Sequence, residues 1–164
     1  LLLCATGVLQ VQGRAPEKRL AELDAATMAH AFAVNAIGPA LLIKHFHELL
    51  PLRERSLLGV LSARVGSIGD NRLGGWYSYR ASKAALNMLL RTAAVEVARK
   101  RPLAVLAALH PGTVRSPLSA PIIGSAPATT PADAARYLLA VLDGLPAEGA
   151  SGGFFAWDGS PIPW

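Results

Sequence analysis

Short apolar runs alternate with longer helix-like segments along this chain, and that order constrains the fold more than any other feature. The runs 57–61 and 103–109 have the length and composition of buried strands, and 77–100 is a long proline-free segment rich in helix formers. The other predicted elements are strands at 1–3 and 152–157 and helices at 21–50 and 131–142. Strands that alternate with helices predict a parallel sheet with helices on both faces. We therefore expect a doubly wound α/β fold.

Capping residues predict where two of these helices begin. Asp24 is a suitable N-cap for the first helix. Thr130, followed by a proline and by Asp133, has the pattern of a helix start. Pro39 lies inside the first helical stretch, so we expect it to kink that stretch or to separate two helices.

Composition excludes several classes of protein. The 164 residues have the length of one domain, 1–164, and the net charge of +5 is scattered rather than clustered, so nucleic-acid binding is not expected. The single cysteine, Cys4, excludes a disulfide framework. His45 and His47 point in different directions on a helix, so no metal site is expected. No apolar run is long enough for a membrane span, and the sequence predicts a cytoplasmic protein.

Tyr79 and Lys83 are the residues whose spacing most clearly indicates chemistry. Positions i and i+4 share one face of a helix, so both side chains project together near the start of the long helix. An ammonium group beside a phenol favours the phenolate and lowers the phenol pKa. A tyrosine tuned in this way can exchange a proton with a carbonyl or alcohol oxygen. Tyr77 has an alanine at i+4 and lacks such a partner.

Two segments around this pair, SARVGSIGDN at 62–71 and GGWYSYRASKAALN at 74–87, resemble the short-chain dehydrogenase/reductase family in its carbonyl-reductase-like branch. The resemblance extends over 1–164 and implies a Rossmann-type fold with NAD- or NADP-dependent interconversion of a carbonyl and an alcohol. It covers the C-terminal two-thirds of such a domain. The glycine-rich turn that binds the dinucleotide phosphates is not found, and in the family it precedes the strand at 1–3. The N-terminal half of the sheet is therefore expected to be absent from this chain, and the choice between NAD and NADP stays open.

The resemblance also implies roles for individual residues. Tyr79 matches the catalytic acid/base, and Lys83 matches the lysine that lowers the tyrosine pKa and binds the nicotinamide ribose. Asn35 matches an asparagine that kinks its helix and holds a proton-relay water. The alternative for Asn35 is a polar side chain that caps a kink near Pro39.

The catalytic serine of the family has two candidates here, Ser62 and Ser67. Counted back from Gly66, the family position is occupied by Ala63. Ser62 is one residue earlier and is the preferred candidate, although a slip of one residue along a strand would turn it to the other face. Ser67 follows the glycine and is the alternative.

Two turns match the cofactor-binding segments of the family. Gly7 is the one residue kept from an Asn-Asn-Ala-Gly segment, where this chain has Cys-Ala-Thr-Gly. The second turn follows the strand at 103–109 and gives the remaining cofactor-binding candidates, Pro111, Gly112, Thr113, Val114 and Ser116. The alternative is that this Pro-Gly pair only ends a strand. His110 is expected to be a packing or strand-end residue.

The expected partners are a small carbonyl or alcohol substrate and a second copy of the chain. The long helix pairs with its symmetry mate in many members of the family, and its apolar residues could serve either that contact or packing on the sheet. Those residues are Leu86, Leu89, Leu90 and Val97. Two other functions compete with catalysis: a non-catalytic signalling or binding protein on the same fold, and an inactive fragment.

Overall fold

A four-stranded parallel sheet forms the centre of the computed structural model, which describes all residues 1–164. The strands are β1 (Leu2–Cys4), β2 (Ser56–Leu61), β3 (Ala104–His110) and β4 (Gly153–Ala156), in the spatial order β1-β2-β3-β4. Leu58 of β2 lies opposite Leu2 of β1 on one side and Leu106 of β3 on the other. The predicted α/β class and the parallel pairing are confirmed.

Helices connect these strands and cover both faces of the sheet. They are α1 (Ala25–Phe32), α2 (Gly38–Phe46), α3 (Tyr77–Ala98), α4 (Ala120–Ile123), α5 (Pro131–Gly144) and the kinked turn α6 (Ala147–Ala150). Leu58 and Leu106 pack with Leu86 and Leu90 of α3 in a core on one face. Leu57, Val105, Leu138 and Leu142 belong to a second core, which α5 closes on the other face. Alternate residues of each strand therefore enter different cores, as a doubly wound sheet requires.

The first helical stretch begins where the capping residue predicts, and it deforms around Asn35, for which the family resemblance implies a kink. The Asp24 carboxylate accepts a hydrogen bond from the Thr27 backbone N at 2.8 Å. Residues Ala33–Ile37 then form a π-helical segment between α1 and α2, in which the Gly38 N–H donates to the Ala33 carbonyl. Pro39 lies in the first turn of α2, where a helix tolerates proline, so the deformation is a wide turn before Pro39 and not a break at it.

By length and composition alone, the stretch Ala25–Leu49 could cross a membrane, which differs from the sequence-based expectation. This is weak evidence, because core helices of water-soluble proteins meet the same criteria. Within this stretch Asn35, Ala36 and Ile43 are buried against the rest of the chain.

Three loops leave the carboxyl ends of β1, β2 and β3, which all lie at one edge of the parallel sheet. The loop after β2 contains a 3-10 turn at Arg64–Gly66, and the loop after β3 contains the short helix α4. The Thr130 hydroxyl accepts a hydrogen bond from the Asp133 backbone N, which confirms the predicted start of α5. In sheets of this kind the carboxyl edge is where ligands bind, so these three loops border the candidate site.

Candidate active site

Tyr79 and Lys83 lie in the first two turns of α3, directly after the glycine-containing loop that follows β2. Lys83 is only 3% exposed, and its Nζ donates a hydrogen bond to the Leu61 carbonyl at 2.8 Å. This bond ties the lysine to the last residue of β2. The edge of the Tyr79 ring packs against Trp76, with ring centroids 6.3 Å apart. The structure thus places the predicted pair on one helix, at the carboxyl end of the sheet.

Burial changes the acidity of both groups. It raises the pKa of Tyr79 to about 12, because the phenolate would lose its hydration. It lowers the pKa of Lys83 to about 8 for the same reason, while the nearby Cys4 thiol opposes that shift. The raised pKa of Tyr79 differs from the lowered value predicted from the sequence, because burial acts on the phenol while the Lys83 ammonium is directed at the Leu61 carbonyl. At neutral pH Tyr79 is a protonated phenol.

Asn35 is completely buried in the π-helical segment and joins two elements of the site. Its Oδ1 accepts a hydrogen bond from the Val8 backbone N at 2.8 Å, and its Nδ2 donates to the Val8 carbonyl at 2.9 Å and to Ser82 Oγ at 3.0 Å. The Ser82 hydroxyl donates in turn to the Tyr79 carbonyl at 2.9 Å. Asn35 therefore connects the loop after β1 to the helical turn that carries Tyr79.

The loop after β1 approaches this cluster most closely at Gly7. A Cβ added there would lie 3.4 Å from Lys83 Nζ and 3.5 Å from Asn35 Oδ1. A side chain longer than a methyl group would enter the space in front of both polar atoms. Gly7 thus leaves a cradle that opens on the lysine and the asparagine.

The two candidate serines make different contacts, and neither hydroxyl bonds to Tyr79. Ser62 is buried and donates to Asn87 Oδ1 at 2.6 Å, so its hydroxyl is directed at α3 one turn beyond Lys83. Ser67 is also buried, and its hydroxyl accepts a hydrogen bond from the Asp70 backbone N at 3.0 Å. Ala63, at the family position, is buried and starts the 3-10 turn with extended backbone angles.

Gly66 fixes how closely the loop after β2 packs against α3. A Cβ at this position would lie 2.8 Å from Lys83 Cβ and 2.9 Å from the Lys83 backbone C. Carbon atoms in contact are normally about 3.5 to 4.0 Å apart, so only glycine fits here. The loop that carries the serine candidates and the turn that carries Lys83 are thus in direct backbone contact.

The turn after β3 packs against Trp157, the residue that follows β4, and is held by the loop that leads to α5. Gly112 has a φ of +75°, and a Cβ there would lie 2.9 Å from the Trp157 ring. The Thr113 carbonyl accepts a hydrogen bond from the Thr129 N at 2.9 Å, and Val114 bridges to the same residue. The Ser119 hydroxyl donates to the Val114 carbonyl. Each of these contacts fixes the backbone of the predicted cofactor turn.

Ser116 and Pro111 are the two remaining residues predicted to bind the cofactor in this turn. The Ser116 hydroxyl lies 3.3 Å from that of Ser119, within the turn that begins α4. Pro111 follows His110, whose Nδ1 is buried without a hydrogen-bond partner. Burial lowers the pKa of His110 to about 4, with a smaller contribution from the Arg64 guanidinium. His110 is thus a neutral strand-end residue at physiological pH.

Sequence reasoning missed two residues that shape the site, Glu17 and Arg80. The Arg80 guanidinium donates to the carbonyls of Gly75 at 2.9 Å and Val65 at 3.3 Å, and so holds the glycine loop against α3. The Glu17 carboxylate reaches the first turn of α3 and accepts hydrogen bonds from Ser78. Arg80 lies inside the motif that the sequence singles out, whereas nothing in the sequence marks Glu17.

A family model and several known proteins are similar to this chain over most of its length. Residues 6–143 match the family model described as enoyl-(acyl carrier protein) reductase. A Myxococcus xanthus protein named C-signal is 40% identical over 149 residues, which are 88% of this chain and 83% of that protein. A 1-hydroxy-2-glutathionyl-2-methyl-3-butene dehydrogenase from Rhodococcus sp. is 36% identical over 142 residues, 87% of this chain and 61% of that enzyme.

Solved structures agree with these relatives. The NADPH-bound carbonyl reductase from chicken fatty liver matches with a TM-score of 0.83 and 27% identity, over 99% of this chain and 65% of that one. The chain therefore spans about two thirds of the length of a typical solved relative. Because the family model covers most of the chain and the Myxococcus relative is 40% identical, the protein belongs to the short-chain dehydrogenase/reductase family.

Proposed function

We propose that the full-length protein containing this chain is a nicotinamide-dependent oxidoreductase that interconverts a carbonyl and an alcohol. The observation that supports this most strongly is the arrangement around α3. Tyr79 and Lys83 are held in consecutive turns, and Gly7 leaves a cradle in front of Lys83 Nζ and Asn35 Oδ1. The dehydrogenase from Rhodococcus and the carbonyl reductase from chicken liver are members of the family with this kind of named activity.

A nicotinamide cofactor fits the residues that are present. A side chain longer than a methyl group at Gly7 would occupy this cradle, and Lys83 Nζ borders it as a hydrogen-bond donor for hydroxyl groups. The backbone of Pro111, Gly112, Thr113 and Val114, with the hydroxyl of Ser116, is the proposed contact for the nicotinamide end. When bound, the cofactor supplies or accepts the hydride. NADPH or NADP is bound in solved relatives at 27% identity.

Tyr79 is the proposed proton donor. With a pKa of about 12 it carries its proton at neutral pH, so it is in the form needed to protonate the oxygen of a carbonyl that is being reduced. Lys83 positions the site through its bond to Leu61, and its pKa of about 8 makes its charge sensitive to mildly alkaline pH. Asn35 holds the turn of Tyr79 through Ser82 and is the proposed anchor of a proton-relay water.

Turnover of the full-length protein with a panel of aldehydes and ketones, followed by NADPH and NADH oxidation, tests this proposal. We expect Tyr79→Phe to lower kcat by about 10²- to 10⁴-fold, which is the usual contribution of a positioned acid. Tyr77→Phe is the matched control, because it removes a phenol two residues away and should leave turnover unchanged. Equal turnover of Tyr79→Phe and the unsubstituted protein would refute the assignment.

A non-catalytic signalling or binding role is the second candidate function, and specific observations favour it. Ala63 stands where the family has its serine, and the neighbouring Ser62 hydroxyl is engaged by Asn87. In addition, the relative with 40% identity is named C-signal. Cofactor binding by the full-length protein without turnover of any carbonyl would favour this role over catalysis.

We also propose that two copies of the chain associate through the outer surface of α2 and α3. Leu86, Leu90 and Val97 are buried in the core, so these three residues pack on the sheet. Leu89 is 41% exposed and borders a groove with Ala40 and Lys44 of α2. Sedimentation equilibrium tests the contact, and Leu89→Glu should shift a dimer toward monomer without loss of helicity.

A further inference from the structure

Glu17 is the one acidic residue of this chain whose side chain is buried, with 6% of its surface exposed. It lies in the long connection between β1 and α1, far from α3 in sequence. One carboxylate oxygen accepts a hydrogen bond from the Ser78 backbone N at 3.2 Å, and the other accepts from the Ser78 hydroxyl. The Glu17 carbonyl accepts from the Trp76 backbone N at 2.5 Å. Three hydrogen bonds therefore join this one residue to the start of α3.

The start of α3 needs such a partner because it has no cap of its own. The first backbone N–H groups of a helix have no partner inside the helix. Trp76 occupies the N-cap position, has no side chain that can accept a hydrogen bond there, and has a left-handed φ of +53°. The Glu17 carboxylate takes over the role that Ser, Thr or Asp normally has at an N-cap. Its negative charge also faces the positive end of a 22-residue helix.

This cap acts on the part of α3 that carries the chemistry. Ser78, which Glu17 holds, immediately precedes Tyr79, and Lys83 follows one turn later. Trp76, held by the Glu17 carbonyl, contacts the Tyr79 ring edge to face. Without the Glu17 carboxylate, the Ser78 backbone N–H and hydroxyl would lose their partner, whereas the backbone carbonyl of residue 17 would still hold Trp76.

We propose that Glu17 is a positioning residue that sets the first turn of α3 and thereby the Tyr79 side chain. The effect of Glu17 on turnover rests on the proposed function, whereas its effect on the Tyr79 environment does not. A purely structural role predicts lower stability alone. A positioning role also predicts a local change at Tyr79 and a fall in kcat while the protein remains folded.

The first measurement is an NMR experiment that does not depend on enzymatic turnover. In the chain labelled at the tyrosine ring carbon Cζ, the three tyrosines give three NMR signals, which Tyr→Phe variants assign. We expect Glu17→Ala to move the Tyr79 signal and to speed amide exchange of Ser78, while Tyr137 and the end of α3 are unchanged. Glu17→Gln keeps an acceptor for Ser78 and should restore most of the Tyr79 signal. If Glu17→Ala does not fold, Ser78→Ala removes one of the three bonds and should give a smaller shift in the same direction.

The second measurement is turnover of the full-length protein, below the unfolding temperature of each variant. We expect Glu17→Ala to lower kcat at least tenfold with less than a twofold change in KM for the carbonyl, and Glu17→Gln to recover to within about threefold. Glu96→Gln, an exposed glutamate at the far end of α3, is the control and should have no effect. An unchanged Tyr79 signal in folded Glu17→Ala, or unchanged kcat in an active protein, would overturn the proposal. Absence of turnover in the unsubstituted protein would count against the proposed function alone, because the NMR signal still decides the role of Glu17.

Discussion

Replacement of Gly66 by alanine tests how tightly the site depends on one backbone contact. The new Cβ would lie 2.8 Å from Lys83 Cβ and 2.9 Å from Lys83 C, and 3.2 Å from the Ala84 N. None of these atoms is the end of a flexible side chain, so the loop and α3 must separate by about 0.7 to 1.2 Å to reach normal carbon contact distances. The loop that carries Ser62 and Ser67 would therefore move away from the turn that carries Lys83.

The expected cost has two parts. Forcing an extra methyl group into a packed interior costs about 1 to 3 kcal/mol, which for a chain of this size lowers Tm by roughly 3 to 10 °C. A displacement of about 1 Å between catalytic groups costs about 10²-fold in kcat/KM. Thermal unfolding measures the first part in the chain itself, and NADPH oxidation by the full-length protein measures the second.

Gly144→Ala provides the matched control for this experiment. No atom lies within 4 Å of a Cβ at Gly144, and its φ is not in the left-handed region. Alanine there should leave activity unchanged and raise stability by up to about 1 kcal/mol, because it restricts the unfolded chain. A Gly66→Ala protein that folds and retains the kcat/KM of the unsubstituted protein would refute the reasoning, since it would show that the loop moves without disturbing Lys83.

The remaining predictions concern four other positions. Folded His110 has a pKa of about 4 against an ordinary 6.5, so between these values the unfolded chain binds a proton that the folded chain does not, and stability falls as the pH drops. His110→Phe should reduce that fall by about 2.5 kcal/mol in denaturant titrations at pH 6.5 and 4, and an identical fall would contradict it. Gly112→Ala should lower Tm through the collision with Trp157 and the φ of +75°, and an unchanged Tm would exclude strain at that turn. Asn35→Ala leaves buried backbone groups without partners and should cost about 1 to 3 kcal/mol in chemical denaturation, whereas a cost below about 0.5 kcal/mol would mean that water replaces the amide. Ala63→Ser should raise kcat/KM of an active protein by restoring a hydroxyl at the family position, and no gain would favour Ser62 or Ser67 as the donor.

The elements of the fold could be predicted because each depends on local pattern. β2, β3 and α3 differ from their predicted bounds by one or two residues at the ends, since continuous apolar runs and a proline-free helical segment leave few alternatives. The caps at Asp24 and Thr130 were found for the same reason. The local pattern does not mark the π-helical segment, because its geometry depends on the burial of Asn35 against Val8 and α3, which are distant in sequence. Only the family resemblance implied a kink at Asn35.

In the site, too, the features that depend on local contacts could be predicted from the sequence, and those that depend on long-range contacts could not. The pair Tyr79 and Lys83 could be predicted because helical spacing alone brings the two residues together. Their acidities could not, because the pKa of a buried group depends on the surrounding packing, and here burial reverses the expected direction for Tyr79. The contact of the Ser62 hydroxyl could not be predicted either, because its partner Asn87 is 25 residues away in the sequence.

The contacts that fix α3 come from three separate connections, and this explains why the helix can present a half-buried phenol beside a buried amine. Glu17 holds its first turn from the connection after β1, Gly66 packs against Lys83 from the loop after β2, and Asn35 holds Ser82 from the π-helical segment. A half-buried phenol and a buried amine both lose hydration, so they remain in place only where the surrounding backbone is over-determined. Each connection therefore contributes to the geometry of Tyr79 and Lys83 without touching their reactive atoms, and a substitution in any one of them should disturb the proposed chemistry as well as the fold.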